Sequence, residues 1–240
     1  MVDPKNGATD ASLFLDNHRD DEIIKIMKKY LENGDTMIDI GANIGYETIV
    51  GASLVSPNGR VHSFEPLPNL VSQIKESLSE NSLTNVTIHN KAAGDSSGEL
   101  ILYTHSEDAG LTSTINKNNY QSKLTVPVVT LDEELKDIKP KLIKIDVEGY
   151  ELETLNGAKN IIEKSKPVIV FEFSPHLYEQ EYKGKSLDLF NFFYKNGYSI
   201  SPIDKPENYI SKENYEKLIQ QILDDETIPN FVATPISVII

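Results

Sequence analysis

The chain has 240 residues, 39% of them hydrophobic and 25% charged, with a formal net charge of -14 and no cysteine. That length gives room for one large domain with its own core, while the negative charge and the lack of any basic patch beside Arg19 or Arg60 argue against nucleic acid or a membrane surface as partner. Without thiols there is no disulfide, no thiolate metal site and no cysteine nucleophile. No apolar run approaches the roughly 18 residues of a membrane span, and the start Met-Val-Asp-Pro-Lys-Asn lacks the basic and apolar parts of a secretory signal. The expected compartment is therefore cytoplasmic, and the Asn85-Val86-Thr87 sequon is read as accidental.

Apolar spacing at Ile23, Ile24, Met27 and Leu31 predicts an amphipathic helix within an N-terminal segment, 1–35, closed near Gly34. A strand over Met37 to Ile40 follows, then a helix to Val55, the turn Pro57-Asn58-Gly59, and a strand from Val61 to Glu65. A helix over about Asn69 to Ser82 leads to a third strand at Val86 to His89. The rhythm then changes: Glu99 to Tyr103 and Thr125 to Val129 read as strands around a polar loop, 104–123, forming an inserted region over 99–130. Alternation resumes with strand Leu142 to Val147, helix Tyr150 to Glu163 and strand Val168 to Phe173. A last helix around Leu187 to Tyr194, a strand at Tyr198 to Ser201 and an apolar end at Phe231 to Ile240 complete the reading. The pattern predicts one domain over 1–240, an α/β fold wound around a mainly parallel sheet.

The most informative stretch is Ile38-Asp39-Ile40-Gly41-Ala42-Asn43-Ile44-Gly45, a short strand running into a glycine turn and a helix. Small residues there let backbone approach a ligand closely, and the amides opening the helix offer donors to an anionic group. Glu65 ends the next strand about twenty residues on, where an acid accepts hydrogen bonds from ribose hydroxyls. This spacing fits either a dinucleotide or S-adenosylmethionine. The turn separates the two, because Gly41-Ala42-Asn43-Ile44-Gly45 breaks the Gly-x-Gly-x-x-Gly pyrophosphate pattern and Asp39 suits a ligand bearing an ammonium. Ala92-Ala93-Gly94-Asp95 falls where adenine would reach, with Asp95 as the acceptor for its amino group.

These blocks, with Phe64-Glu65-Pro66 and above all Ile143-Lys144-Ile145-Asp146-Val147-Glu148-Gly149-Tyr150-Glu151, resemble the FkbM-type family of S-adenosylmethionine-dependent methyltransferases over roughly residues 36 to 176. The resemblance implies a doubly wound, seven-stranded, Rossmann-like class I methyltransferase fold. It also implies methylation of a hydroxyl on a sugar, glycan or polyketide-like natural product. Asp39, Gly41, Asn43, Gly45, Glu65, Ala93 and Asp95 are the matching cofactor-side positions.

On the acceptor side, Lys144, Asp146 and Glu148 alternate with Ile143, Ile145 and Val147, so a strand through them would turn all three charges to one side. Buried charges need partners or a function, and a lysine between two carboxylates supplies the pairing while the carboxylates face a cleft. Glu172, ending an apolar strand, and His176 four residues later are further candidates. Asp146, Glu148, Glu172 or His176 would take or orient the acceptor proton, with the 146–148 turn ranked first. The other histidines are read as standing apart from any cluster. No metal is assigned, since spacing fixes no set of three ligands. Gly110, Leu111, Thr112, Ser113, Thr114, Asn116, Lys117, Asn118, Asn119 and Tyr120 make the long loop suitable for a hydroxyl-rich acceptor.

Two other enzyme classes share parts of this pattern. Gly94-Asp95-Ser96-Ser97-Gly98 matches a hydrolase elbow in letters, but a strand rather than a helix follows it. An NAD-dependent oxidoreductase would share the Glu65 spacing, but this chain lacks both the Gly-x-Gly-x-x-Gly pattern and a Tyr-x-x-x-Lys pair of the short-chain kind. A non-enzymatic reading would make the chain an adenosyl-ligand binder that lost its chemistry.

Overall fold

A computed structural model of the chain describes residues 21–104, 112–113, 122–179 and 185–239. Eleven strands are described: β1 (Thr36–Ile40), β2 (Arg60–Phe64), β3 (Val86–His89), β4 (Ala92–Ala93), β5 (Gly98–Thr104), β6 (Thr112–Ser113), β7 (Ser122–Val129), β8 (Leu142–Ile145), β9 (Val168–Glu172), β10 (Tyr198–Pro202) and β11 (Asn230–Pro235). Seven of them form one sheet in the order β10-β11-β9-β8-β1-β2-β3. All run parallel except β11, which is antiparallel to both of its neighbours. The expected seven-stranded, doubly wound arrangement is therefore present.

Burial explains the central strands. Ile38, Ile40, Ile143, Ile145, Ile169 and Phe171 join one core, under the helices Glu151–Asn156, Lys159–Ser165 and Lys185–Lys195. Met37, Leu142, Val168 and Val170 join the opposite core with Ile23, Ile24, Ile26 and Met27 of the N-terminal helix and Val55 of the helix Tyr46–Val55. Strands covered on both faces read as continuous apolar runs, as these do. In the two innermost, β1 and β8, the charged exceptions are Asp39 and Lys144, which face each other in register.

The inserted region forms a second sheet, ordered β4-β7-β5-β6, between β3 and β8 in the chain. Its Leu102 and Val126 pack on Leu67 and Leu70 of the helix Pro68–Glu80 and its approach, and on Ile44 of the glycine turn. The insertion thus sits beside the first strand-to-helix turn. Most of the polar loop, including Gly110, Leu111, Thr114 and 116–120, lies outside the described residues.

Four differences from the sequence reading have plain causes. Strand β8 stops at Ile145 instead of Val147, because the chain turns there onto the Glu151 side chain. The single helix expected over 150–163 is two helices, broken at Gly157, whose Cα lies so close to the Gly94 carbonyl that a Cβ would stand 1.8 Å from it. Ala92 and Ala93, given no element in the sequence reading, pair with β7. The helix Tyr215–Asp224 was missed, although it buries Tyr215, Ile219 and Ile222. Asn85, the sequon residue, is buried and its amide donates to the Ala52 carbonyl at 2.9 Å. Among the described residues no helix is long and apolar enough to cross a membrane.

Candidate functional site

The C-terminal ends of β1, β2, β8 and β9 carry the candidate residues, the edge where open α/β sheets bind ligands. After β1 the chain turns through Gly41 and Gly45, both at positive φ, with Asn43 between them at φ 53. A Cβ on Gly41 would stand 1.7 Å from the Asp146 carbonyl oxygen, so only glycine allows the first turn and the β8 turn to meet. Gly45 opens the helix Tyr46–Val55 in a left-handed conformation, without a side-chain cap of its own.

Glu65 is fastened to this turn. Its Oε2 accepts the Asn43 amide at 2.8 Å and its Oε1 accepts the Leu67 amide at 2.9 Å. Burial pushes its carboxyl up to about 7, against the lowering effect of those two amides and of Lys144. Both oxygens keep lone pairs for a further donor such as a hydroxyl. The sequence reading gave Glu65 to a ligand alone; the structure adds the bracing of the turn. Asn90 continues the brace, its amide donating to the Glu65 and Pro66 carbonyls at 2.9 Å each.

Beneath the turn lies a buried polar chain. Asp39 is wholly buried; its Oδ2 accepts the Thr48 hydroxyl at 2.5 Å, and Thr48 Oγ1 lies 3.0 Å from Ser63 Oγ. Its Oδ1 has no hydrogen bond and faces the Lys144 ammonium at 3.6 Å. Lys144 also donates to the Gly41 carbonyl at 3.0 Å and lies 3.5 Å from Asp146 Oδ2. The expected lysine pairing with Asp146 exists, and the same ammonium also faces Asp39 beneath the turn. Asp39, wholly buried, supports the turn from below. Thr48 and Ser63 escaped notice because uncharged hydroxyls on apolar elements leave no pattern.

Asp146, Glu148 and Glu172 come together, with one carboxylate oxygen from each within 4.8 Å of the others. They do so by different means than strand alternation. Asp146 and Glu148 lie beyond the end of β8, and Glu148 adopts φ 51. The turn is closed by buried Glu151, whose Oε1 accepts the Val147 amide at 3.3 Å and the Gly149 amide at 3.1 Å. Glu172 arrives on the parallel neighbour β9, anchored by the packed rings of Phe171, Phe193 and Phe231. Burial first, then the charges of Asp146, Glu148 and Glu151, hold the Glu172 carboxyl well above the usual carboxylate range; a bond from Ser174 opposes this. Three such oxygens are also the hard donors a divalent cation takes, a set that spacing along the chain did not reveal.

The remaining candidates are held by contacts of their own. Ala93 is paired with Val129, and its carbonyl accepts the Thr154 hydroxyl at 3.0 Å. Asp95 is exposed, bonded by Ser96, and packed near Gly157. His176 binds the Thr227 carbonyl at 3.1 Å through Nε2. The reading of the other histidines as isolated is corrected for two of them. His62 Nδ1 lies 3.1 Å from His89 Nε2, and His89 Nδ1 lies 3.0 Å from Glu134, which Lys91 also binds at 2.9 Å. Parallel pairing of β2 and β3 brings the two rings together across 27 residues of sequence.

Comparison with known proteins bears on this geometry. The Methyltransferase FkbM domain model matches residues 39–200. The hexuronic acid methyltransferase AglP of Haloferax volcanii is 28% identical over 152 residues, 62% of this chain and 60% of that protein. A protein-L-isoaspartate O-methyltransferase of Ignicoccus hospitalis is 36% identical over 58 residues, 24% of this chain and 28% of that protein. The chain thus spans about 60% of the length of the first of these relatives and less of the second. Among solved structures, methyltransferase FkbM from Methylobacillus flagellatus superposes with a TM-score of 0.54 at 17% identity, over 88% of this chain and 50% of that one. A putative rRNA-methylase from Clostridium thermocellum also gives 0.54, at 14% identity over 89% and 92% of the two chains. These two likenesses concern the fold.

Proposed function

The chain belongs to the FkbM methyltransferase family, and from that premise we propose that it transfers a methyl group from S-adenosylmethionine to a hydroxyl of a sugar or related natural product. The observation that carries the reading is the contact of Gly41 with the Asp146 carbonyl. It sets the glycine turn, which Glu65 braces, against the turn that carries Asp146, whose carboxylate meets those of Glu148 and Glu172. When bound, S-adenosylmethionine supplies a methyl carbon already activated by its sulfonium. The residues present fit such a ligand: a close backbone turn that opens a helix, and a buried acid with lone pairs to spare.

In this reading Gly41, Asn43, Gly45 and Glu65 hold the donor, and Asp39 supports their turn. Methyl transfer is an in-line displacement, so orientation contributes more than acid-base strength. The acceptor hydroxyl nevertheless loses a proton. Glu172, whose raised carboxyl keeps its proton at neutral pH, orients the hydroxyl as a hydrogen-bond donor, and Asp146 takes the proton. Glu148, on the same turn, lines the acceptor side. A sugar acceptor is supported by the name of the Haloferax relative and by the polar composition of the 104–123 segment.

Calorimetry with S-adenosylmethionine, S-adenosylhomocysteine and NAD in separate titrations tests the donor. We expect saturable binding of both adenosyl ligands and none of NAD; the reverse result sinks the proposal. Methyl transfer to a panel of neutral sugars, uronic acids and polyketides then tests the acceptor class.

A further inference from the structure

Lys144 is a charged side chain in the innermost part of the sheet, only 3% exposed, and it is surrounded by oxygens from three separate segments. The Gly41 carbonyl belongs to the turn after β1, Asp39 to β1 itself, and Asp146 to the turn after β8. An ammonium carries three N–H donors and accepts none, so one group serves all three. Lysine charge taken out of water at this depth is expensive unless such partners repay it. The register explains why the position is fixed: Lys144 sits opposite Asp39 across β1 and β8.

From this geometry we infer that Lys144 is a positioning residue, through which the donor turn and the acceptor carboxylate of Asp146 are held in one mutual arrangement. The inference rests on the donor reading given above and goes beyond it. Asp39 is the base of the device. Thr48 and Ser63 fix one of its oxygens, and the other faces the ammonium without a hydrogen bond of its own. The ammonium therefore has a rigid anchor on one side, and on its other sides grips the Gly41 carbonyl and draws in Asp146. A shift of Asp146 is passed to Gly41 through a single atom. Main-chain contact reinforces the coupling, since the Asp146 amide donates to the Ile40 carbonyl at 3.0 Å.

The test is a double-mutant cycle on S-adenosylhomocysteine affinity, with Lys144→Met, Asp146→Asn and the pair together, measured by calorimetry on the whole chain alongside thermal melting. Lys144→Met should weaken S-adenosylhomocysteine at least tenfold. Asp146→Asn should change the affinity threefold or more in the parent and not at all in the Lys144→Met background. A purely structural role would lower the melting temperature of each variant and leave their effects on affinity additive; that additivity overturns the inference. So does a folded Lys144→Met that binds like the parent. Should Lys144→Met fail to fold, Lys144→Gln, which keeps a donor for Gly41 without the charge, replaces it under the same criteria. Failure of the unsubstituted protein to bind S-adenosylhomocysteine overturns the donor reading together with this one, whereas normal parent binding with additive variants overturns this one alone.

Discussion

Glu65 Oε2 lies 2.8 Å from the backbone amide of Asn43, so the acid that ends β2 also sets the turn that follows β1. Its carboxyl is raised to about 7 by burial, against about 4.3 in an unfolded chain. The folded state therefore binds the proton more tightly, and this contribution to stability is complete below about pH 4.3. It is lost as pH rises through 7. Glu65→Gln should be less stable throughout, because its amide group opposes one of the two backbone donors. The gap to the parent protein should narrow as pH rises over that window. Denaturant titrations at several pH values measure it, and a gap that widens with pH contradicts the assignment.

Gly41→Ala should cost about 2–5 kcal/mol, combining left-handed backbone strain with a clash against the Asp146 carbonyl. Gly34 offers the control. It has φ 99 and no heavy atom within 4 Å of an added Cβ, so Gly34→Ala should cost only about 1–2 kcal/mol. Equal losses in urea unfolding would mean that the two turns do not meet as described.

Thr48→Val removes the hydroxyl that Asp39 accepts at 2.5 Å and leaves a buried carboxylate short of a donor. A loss of about 1.5–3 kcal/mol is expected, the range for bonds to charged groups. An unchanged urea midpoint would show that Asp39 is satisfied by other means.

Glu172→Gln keeps a donor and nearly the same shape but cannot exchange a proton. If Glu172 only orients the acceptor, kcat should fall less than tenfold; if it takes part in proton transfer, the fall should be about a hundredfold or more. We expect the first outcome, with S-adenosylhomocysteine affinity unchanged, and steady-state assays with calorimetry decide between them.

His62 is half-buried against His89, and burial lowers its affinity for a proton below the ordinary value of 6.5. The unfolded chain takes up that proton first, so stability conferred by neutral His62 is lost as pH falls below about 6.5. His62→Phe should show a shallower loss of stability as pH falls below about 6.5. A loss as steep as in the parent protein would place the acid sensitivity elsewhere.

The turn proposed to hold the donor was legible in the sequence because glycine and asparagine advertise unusual backbone, and Gly41, Asn43 and Gly45 do adopt positive φ. The apolar runs of β1, β8 and β9 were equally plain, since burial on both faces leaves no polar alternation. The acceptor side was legible only in its residues. Period-two spacing put Asp146 and Glu148 on one strand, whereas the backbone leaves the sheet at Ile145 to satisfy Glu151. Glu172 reaches Asp146 through strand order, which local spacing does not encode. The link between His62 and His89 arises in the same way, from pairing across β2 and β3.

One property of the sheet bears on how the molecule is made. Of its seven strands β11 is the last in the chain, yet it lies between β9 and β10, with Asn230 opposite Glu172 and Phe173 bonded to the Pro229 carbonyl. During synthesis β10 therefore has no neighbour to dock on, and the flank of Glu172 stays open, until the final strand slides into the gap. In the proposed reading, the side of the site that Glu172 lines is completed only by the last strand of the sheet.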